Sequence, residues 1–85
     1  MWRFVGTCYD GEPFEINGIN VWAGQWEPVL DEEAEVRDPL YNQAFRFSVY
    51  RVERAQDSVE FAAGEFSNGV WGFYTRSAQD SRTMQ

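Results

Sequence analysis

The chain has 85 residues and sets 14 acidic side chains against seven arginines, with no lysine or histidine, for a formal net charge of −7. One domain is the most this length allows, and the charge speaks against nucleic acid and anionic membranes as partners, since cationic groups drive phosphate binding. Without histidine there is no histidine base, relay or metal ligand, and the single cysteine, Cys8, excludes an internal disulfide or a four-cysteine zinc site. Residues 2–9 predict a strand, with Trp2, Phe4 and Gly6 on one face and Arg3, Val5 and Thr7 on the other. Asp10-Gly11 reads as a hairpin turn. Phe14-Glu15-Ile16 and Ile19-Asn20-Val21-Trp22 alternate on either side of Asn17-Gly18, a second hairpin signal. Pro13 and Pro28 mark strand starts or edges, and Gly24 interrupts the pattern before Trp26, where residues 26–30 predict a short edge strand.

Residues 31–39 predict an acidic loop, because Ala34 and Val36 are few anchors among Asp31, Glu32, Glu33, Glu35 and Asp38. Phe45, Phe47 and Val49 resume the alternation, and the adjoining Val49 and Tyr50 suggest a change of phase at a bulge. Residues 55–58 read as a polar turn. The run 59–74 then reads as a hairpin closed at Ser67-Asn68-Gly69. The apolar pattern stops after Tyr74, so residues 1–74 form the expected domain and 75–85 a polar, disordered tail. The expected fold is all-β, a small antiparallel barrel or strongly bent sheet of five to seven short strands. The alternative is an α+β fold with a helix over residues 27–36 packed on the sheet.

Four tryptophans, four tyrosines and seven phenylalanines are many rings for a domain this small. Each buried ring removes roughly 150–250 Å² from water, and small domains bury a limited share of their surface. Some rings are therefore expected at a homodimer interface or in a ligand groove. Trp22 and Trp26, followed by Glu27, could form a platform for a flat apolar or cationic ligand; the plainer reading packs them onto Trp2 or Trp71. Tyr41 is a candidate rim residue. Trp71 and Phe73 alternate with glycine, which suggests that Gly72 makes room for a ring, a ligand or a partner backbone.

Carboxylates are the remaining acid–base candidates. Glu65 is the weak catalytic candidate, because aromatic neighbours could raise its pKa. It would need Glu60 on the same face, which an ideal strand forbids and a bulge at Gly64 would permit. The plainer reading is a solvated strand face or an ion pair with Arg46 or Arg51. Cys8 reads as a buried, inert thiol. Asp31, Glu32, Glu33, Glu35 and Asp38 lack the spacing of a calcium loop; they are expected to be solvated, or to meet a basic protein partner. Neither a metal nor a cofactor is expected. The lone cysteine and the lack of a leader-like or ~20-residue apolar segment suggest a cytoplasmic protein.

Trp22-x-x-x-Trp26, Asp38-Pro-Leu-Tyr41 and Phe61-Ala-Ala-Gly-Glu-Phe-Ser-Asn-Gly-Val-Trp-Gly-Phe-Tyr74 together resemble small bacterial proteins of the kind carried on mobile gene cassettes. The resemblance spans residues 2–74. It implies a bacterial, cytoplasmic origin and transfers no catalytic residue. Three functions are thus expected in descending order: a non-catalytic binding module that self-associates, an acidic inhibitor or antitoxin-like protein capping a basic partner, and a carboxylate enzyme built on Glu65 or Glu60 with Tyr41 or Tyr50.

Overall fold

A computed structural model describes residues 1–23, 26–55 and 58–76 of the chain. Gly24, part of the expected 55–58 turn and the tail beyond residue 76 lie outside the described residues. The strands are β1 (Arg3–Tyr9), β2 (Glu15–Ile16), β3 (Ile19–Asn20), β4 (Glu27–Arg37), β5 (Ala44–Glu53), β6 (Ser58–Ser67) and β7 (Val70–Thr75), and no helix occurs among the described residues. Five strands form one antiparallel sheet in the order β1-β7-β6-β5-β4, while β2 and β3 form a separate hairpin.

The small hairpin follows from its turn. Asn17 at φ 53° and Gly18 at φ 81° both take the left-handed geometry of a two-residue hairpin loop, which asparagine and glycine tolerate best. Ile16 and Val21, on either side, are buried against the large sheet together with Cys8, Phe61, Ala63 and Phe73. The opposite face of that sheet gathers Ala34, Val36, Phe47, Val49, Ala62 and Tyr74. Strand β6 is buried on both faces, which explains its nearly unbroken apolar run Phe61-Ala62-Ala63.

The sheet is bent. In a flat sheet β7 and β4 would stand about 14 Å apart, three strand spacings. Yet Tyr74 on β7 donates its hydroxyl hydrogen bond to the carbonyl of Arg37 on β4. Just past β7, Arg76 reaches Glu32 of β4 at 2.8 Å. The sheet nevertheless has free ends at β1 and β4, so the barrel expected as one form of the fold is not closed.

Several local expectations are corrected. The acidic loop at 31–39 and the alternative helix at 27–36 both give way to β4, an 11-residue strand. Ala34 and Val36 turn inward opposite Phe47 and Phe45, while Glu33 and Glu35 turn outward. The two small apolar residues suffice because β5 supplies the rings they pack on. The β4–β5 pairing is irregular between Pro28 and Glu33, where Asp31 has φ 64°. The pairing with β6 shows no bulge at Val49-Tyr50 and runs in register from Ser48 with Ala63 to Glu53 with Ser58, whereas the irregularity with β4 falls opposite Val49, its extra residues lying in β4. The two residues adjoin because Val49 joins one core cluster and Tyr50 packs on the other.

A further bulge lies in β1, between Phe4 and Gly6. It splits the face expected to hold Trp2, Phe4 and Gly6: Phe4 packs on Tyr74, whereas Gly6 faces Phe14 on the other side. Asp10-Gly11 does make a turn, with the Glu12 N–H donating to Tyr9 O at 2.9 Å, but not a hairpin. The outward N–H of Tyr9 is occupied by Glu12 Oε1 at 3.0 Å, and β1 pairs with β7 rather than β2. The boundary drawn after Tyr74 also moves, since Thr75 pairs with both Arg3 and Phe61.

Candidate functional site

The face covered by β2 and β3 holds an aromatic pocket of about 210 Å³. Its floor is Phe61 and Ala63 of β6 with Phe73 of β7. Trp71 of β7 and Tyr50 of β5 form two walls, and Val21, Trp22, Ala23 and Trp26 from the segment after β3 form the rest. Alternation places Trp71 and Phe73 on the same face of β7, and Tyr50 lies directly opposite Phe61 in the sheet.

The indoles that follow β3 are fixed by backbone carbonyls. Trp22 Nε1 donates to Glu12 O at 2.6 Å, and Trp26 Nε1 donates to Asn20 O at 2.9 Å. The Trp22 backbone N–H also donates to Asn20 Oδ1 at 3.2 Å. By contrast, Trp71 Nε1 is buried with no hydrogen-bond partner among the described residues. Such an unmet donor costs about 1–3 kcal/mol.

Three of the ring pairs meet at steep angles. Trp22 stands at 87° to Trp71 and 90° to Phe73, with centroids 5.5 and 6.3 Å apart. Trp26 stands at 90° to Phe61 at 4.5 Å, and Tyr50 stacks on Phe61 at 5.3 Å. No carboxylate, guanidinium or thiol from the described residues lines the pocket. Two wider depressions of about 500 Å³ each run along β4, around Glu35, Phe45 and Arg46 and around Pro28, Leu30 and Glu33. On their rims Arg46 pairs with Glu35 at 3.5 Å and with Glu33 at 3.9 Å.

Of the residues singled out in the sequence, Trp22, Trp26, Trp71 and Phe73 converge on the aromatic pocket. Tyr41 does not. It sits 81% exposed in the β4–β5 turn, where its backbone N–H donates to Asp38 Oδ2 at 3.0 Å. Trp2 packs with the opposite core cluster, under the Arg76 guanidinium at 4.4 Å. Tyr50 enters the sequence reading only as a partner for a catalytic Glu65 or Glu60, not as a pocket wall, and Phe61 has no site role there. Tyr50 was read as a break in alternation, though a tyrosine beside an inward valine is equally the mark of a strand buried on both faces.

The carboxylates take other tasks. The β6–β7 irregularity falls between Glu65 and Ser67 rather than at Gly64, so Glu60 and Glu65 stay on opposite faces. Glu65 accepts the Gly69 N–H at 3.0 Å and so braces the hairpin turn. Glu60 accepts from Arg51 Nε at 2.9 Å and from Arg76 Nη2 at 2.9 Å. Burial pushes the Glu60 carboxyl up, but the hydrogen bonds and charges of Arg76 and Arg51 outweigh it and hold it below the usual carboxylate value.

The acidic cluster is dispersed. Glu32 pairs with Arg76, Glu33 and Glu35 flank Arg46, Asp38 accepts the N–H groups of Leu40 and Tyr41, and Asp31 occupies the irregular part of β4. No group of three acidic, histidine or cysteine side chains is placed to hold a metal among the described residues. Burial pushes the Cys8 thiol up, against a weaker downward pull from its hydrogen bond with Trp22. It is therefore not an activated nucleophile.

Comparison with protein-family models, curated proteins and solved structures finds no match for this chain. No helix among the described residues is long and apolar enough to cross a membrane.

Proposed function

We propose that this protein is a non-catalytic binding domain whose site is the aromatic pocket bounded by Trp22, Trp26, Tyr50 and Trp71. One observation carries the reading: rings from four parts of the chain converge on a 210 Å³ space that they line without filling. An uncharged aromatic concavity with a few fixed polar groups suits small-ligand recognition. The catalytic reading has less support, because Glu60 is held by two arginines and Glu65 by the hairpin turn.

The acidic-inhibitor reading also has less support, because Glu32, Glu33 and Glu35 pair with arginines of this chain and Asp38 accepts N–H groups of its own turn. Self-association through a single aromatic patch fares similarly. The most exposed large apolar residues, Met1, Tyr9, Leu30, Leu40 and Tyr41, sit at the start of the chain, at the end of β1, at the irregular part of β4 and in the β4–β5 turn. A cytoplasmic setting fits the single buried thiol.

A panel of small aromatic and aliphatic alcohols and amines tests the proposal, read by the indole N–H resonances of the four tryptophans. Binders should move Trp22, Trp26 and Trp71 and leave Trp2, on the opposite face, in place. A panel that moves none of the three pocket indoles would refute it.

A further inference from the structure

We propose that the pocket takes a small N-methylated ammonium cation of the size and charge of choline. This rests on the binding reading above and adds the chemical class of the ligand. The first argument is the arrangement of the walls. A flat stack of rings presents faces in one plane, and suits a planar ligand slid between them. Here Trp22 is nearly perpendicular to Trp71 and to Phe73, and Trp26 to Phe61. A ligand among them meets π-systems in more than one plane. A compact, roughly spherical methylated ammonium group can use such an arrangement, since each ring face carries a negative quadrupole that attracts a cation.

The second argument is charge. Among the described residues the walls carry no cation that would repel such a ligand and no carboxylate that would demand a hydrogen-bonding ammonium. A quaternary nitrogen has no N–H to satisfy, so an apolar cage costs it less than it would cost a primary amine. The surroundings are acidic. Glu65 lies directly across the strand pair from Trp71. Asp10 and Glu12 lie close enough to raise the thiol of Cys8, which pairs across from Trp71 on its other side. Arg46, Arg51 and Arg76 are each engaged by carboxylates. With a net charge of −7, the chain attracts cations and repels anions at long range.

The third argument is size. A pocket of about 210 Å³ is below the span common for drug-sized ligands, roughly 300–1,000 Å³, and suits a group of a few heavy atoms.

The test compares choline with 3,3-dimethyl-1-butanol, which has the same shape with carbon in place of the charged nitrogen. Each is titrated into the full chain while the indole N–H resonances are followed. Choline should shift the Trp22, Trp26 and Trp71 signals, leave Trp2 unmoved, and bind at least about tenfold tighter than the alcohol, a preference within the reach of several cation–π contacts. Trp22→Leu, which keeps an apolar wall and removes a π face, should abolish most of that preference while the Trp2 signal reports an intact fold. If the alcohol binds as tightly as choline at the same indoles, the cation assignment is overturned and the binding pocket stands. If neither ligand moves the three indoles, both are overturned.

Discussion

Gly64 and Gly72 face each other across β6 and β7, and each leaves space that an aromatic ring occupies. A Cβ on Gly64 would lie 2.3 Å from Phe47 Cδ1, 2.6 Å from Cε1 and 2.8 Å from Cγ. The near approach to Cγ matters, because that atom moves only if the whole side chain moves. Phe47 is 4% exposed, with Phe45, Phe66 and Tyr74 at centroid distances of 5.6, 5.4 and 6.1 Å. The ring has nowhere to go without displacing its neighbours. Gly64→Ala therefore sits at the upper end of the overpacking range, about 3 kcal/mol. Alanine returns roughly 0.5–1 kcal/mol by restricting the unfolded chain. The net loss is about 2 kcal/mol, or a fall in Tm of about 8–16 °C for a domain of this size.

Gly72→Ala meets the outer ring atoms of Phe66, at 2.2 Å from Cε2 and 2.4 Å from Cζ. Phe66 is only half-buried and can swing outward, so this variant should lose about 1 kcal/mol. Thermal melts by circular dichroism give both values, and Gly64→Ala combined with Phe47→Leu should recover part of the first loss. A Gly64→Ala protein as stable as the parent, or less affected than Gly72→Ala, would refute the reasoning.

Three further outcomes are expected. Glu60→Gln should lower stability at neutral pH by about 1.5–3 kcal/mol, the range for hydrogen bonds to charged groups. Because the folded carboxyl lies below its unfolded value, that stability is present above about pH 4.3 and drains as pH falls through the folded value. Melts between pH 3 and 7 should then show a flatter acid limb in the variant. Tyr74→Phe should cost about 1 kcal/mol by leaving the Arg37 carbonyl without that donor. Burial, with the charge of Asp38 added, pushes the Tyr74 phenol up, so its contribution holds below about pH 10 and is lost as pH rises through the higher folded value; an absorbance titration of parent and variant should show the late-titrating phenol disappear. Cys8 should react with a thiol reagent at least about 100-fold more slowly in the native protein than in denaturant, since access requires opening of the core.

The sequence was most informative where local chemistry decides the structure. Asn17-Gly18 and Ser67-Asn68-Gly69 closed the hairpins they promised, and the alternation of Trp71 and Phe73 put both rings on one face. Asp10-Gly11 shows the limit, because a turn fixes chain reversal but not which strand lies alongside; β1 found β7, some sixty residues on. Strand β4 was hidden because its own apolar residues are few and its packing partners, Phe45 and Phe47, belong to the next strand. The pocket was half-legible for the same reason. Trp22 and Trp26 stood out as closely spaced indoles, while Tyr50 and Phe61 came to line the pocket, as wall and floor, only through the β5–β6 register. Arg76 looked like the start of a polar tail, yet it bridges Glu32 and Glu60 across the bent sheet, a contact set by curvature that no local pattern encodes.

The most direct measurement is a set of intermolecular NOEs from choline or 3,3-dimethyl-1-butanol, whichever binds, to the protein. Their methyl protons should show contacts to ring protons of Trp22, Trp26, Tyr50 and Trp71. Contacts confined to Phe4, Phe45 and Phe66 on the opposite face, or contacts to none of these rings, would contradict the assignment of the pocket as the binding site.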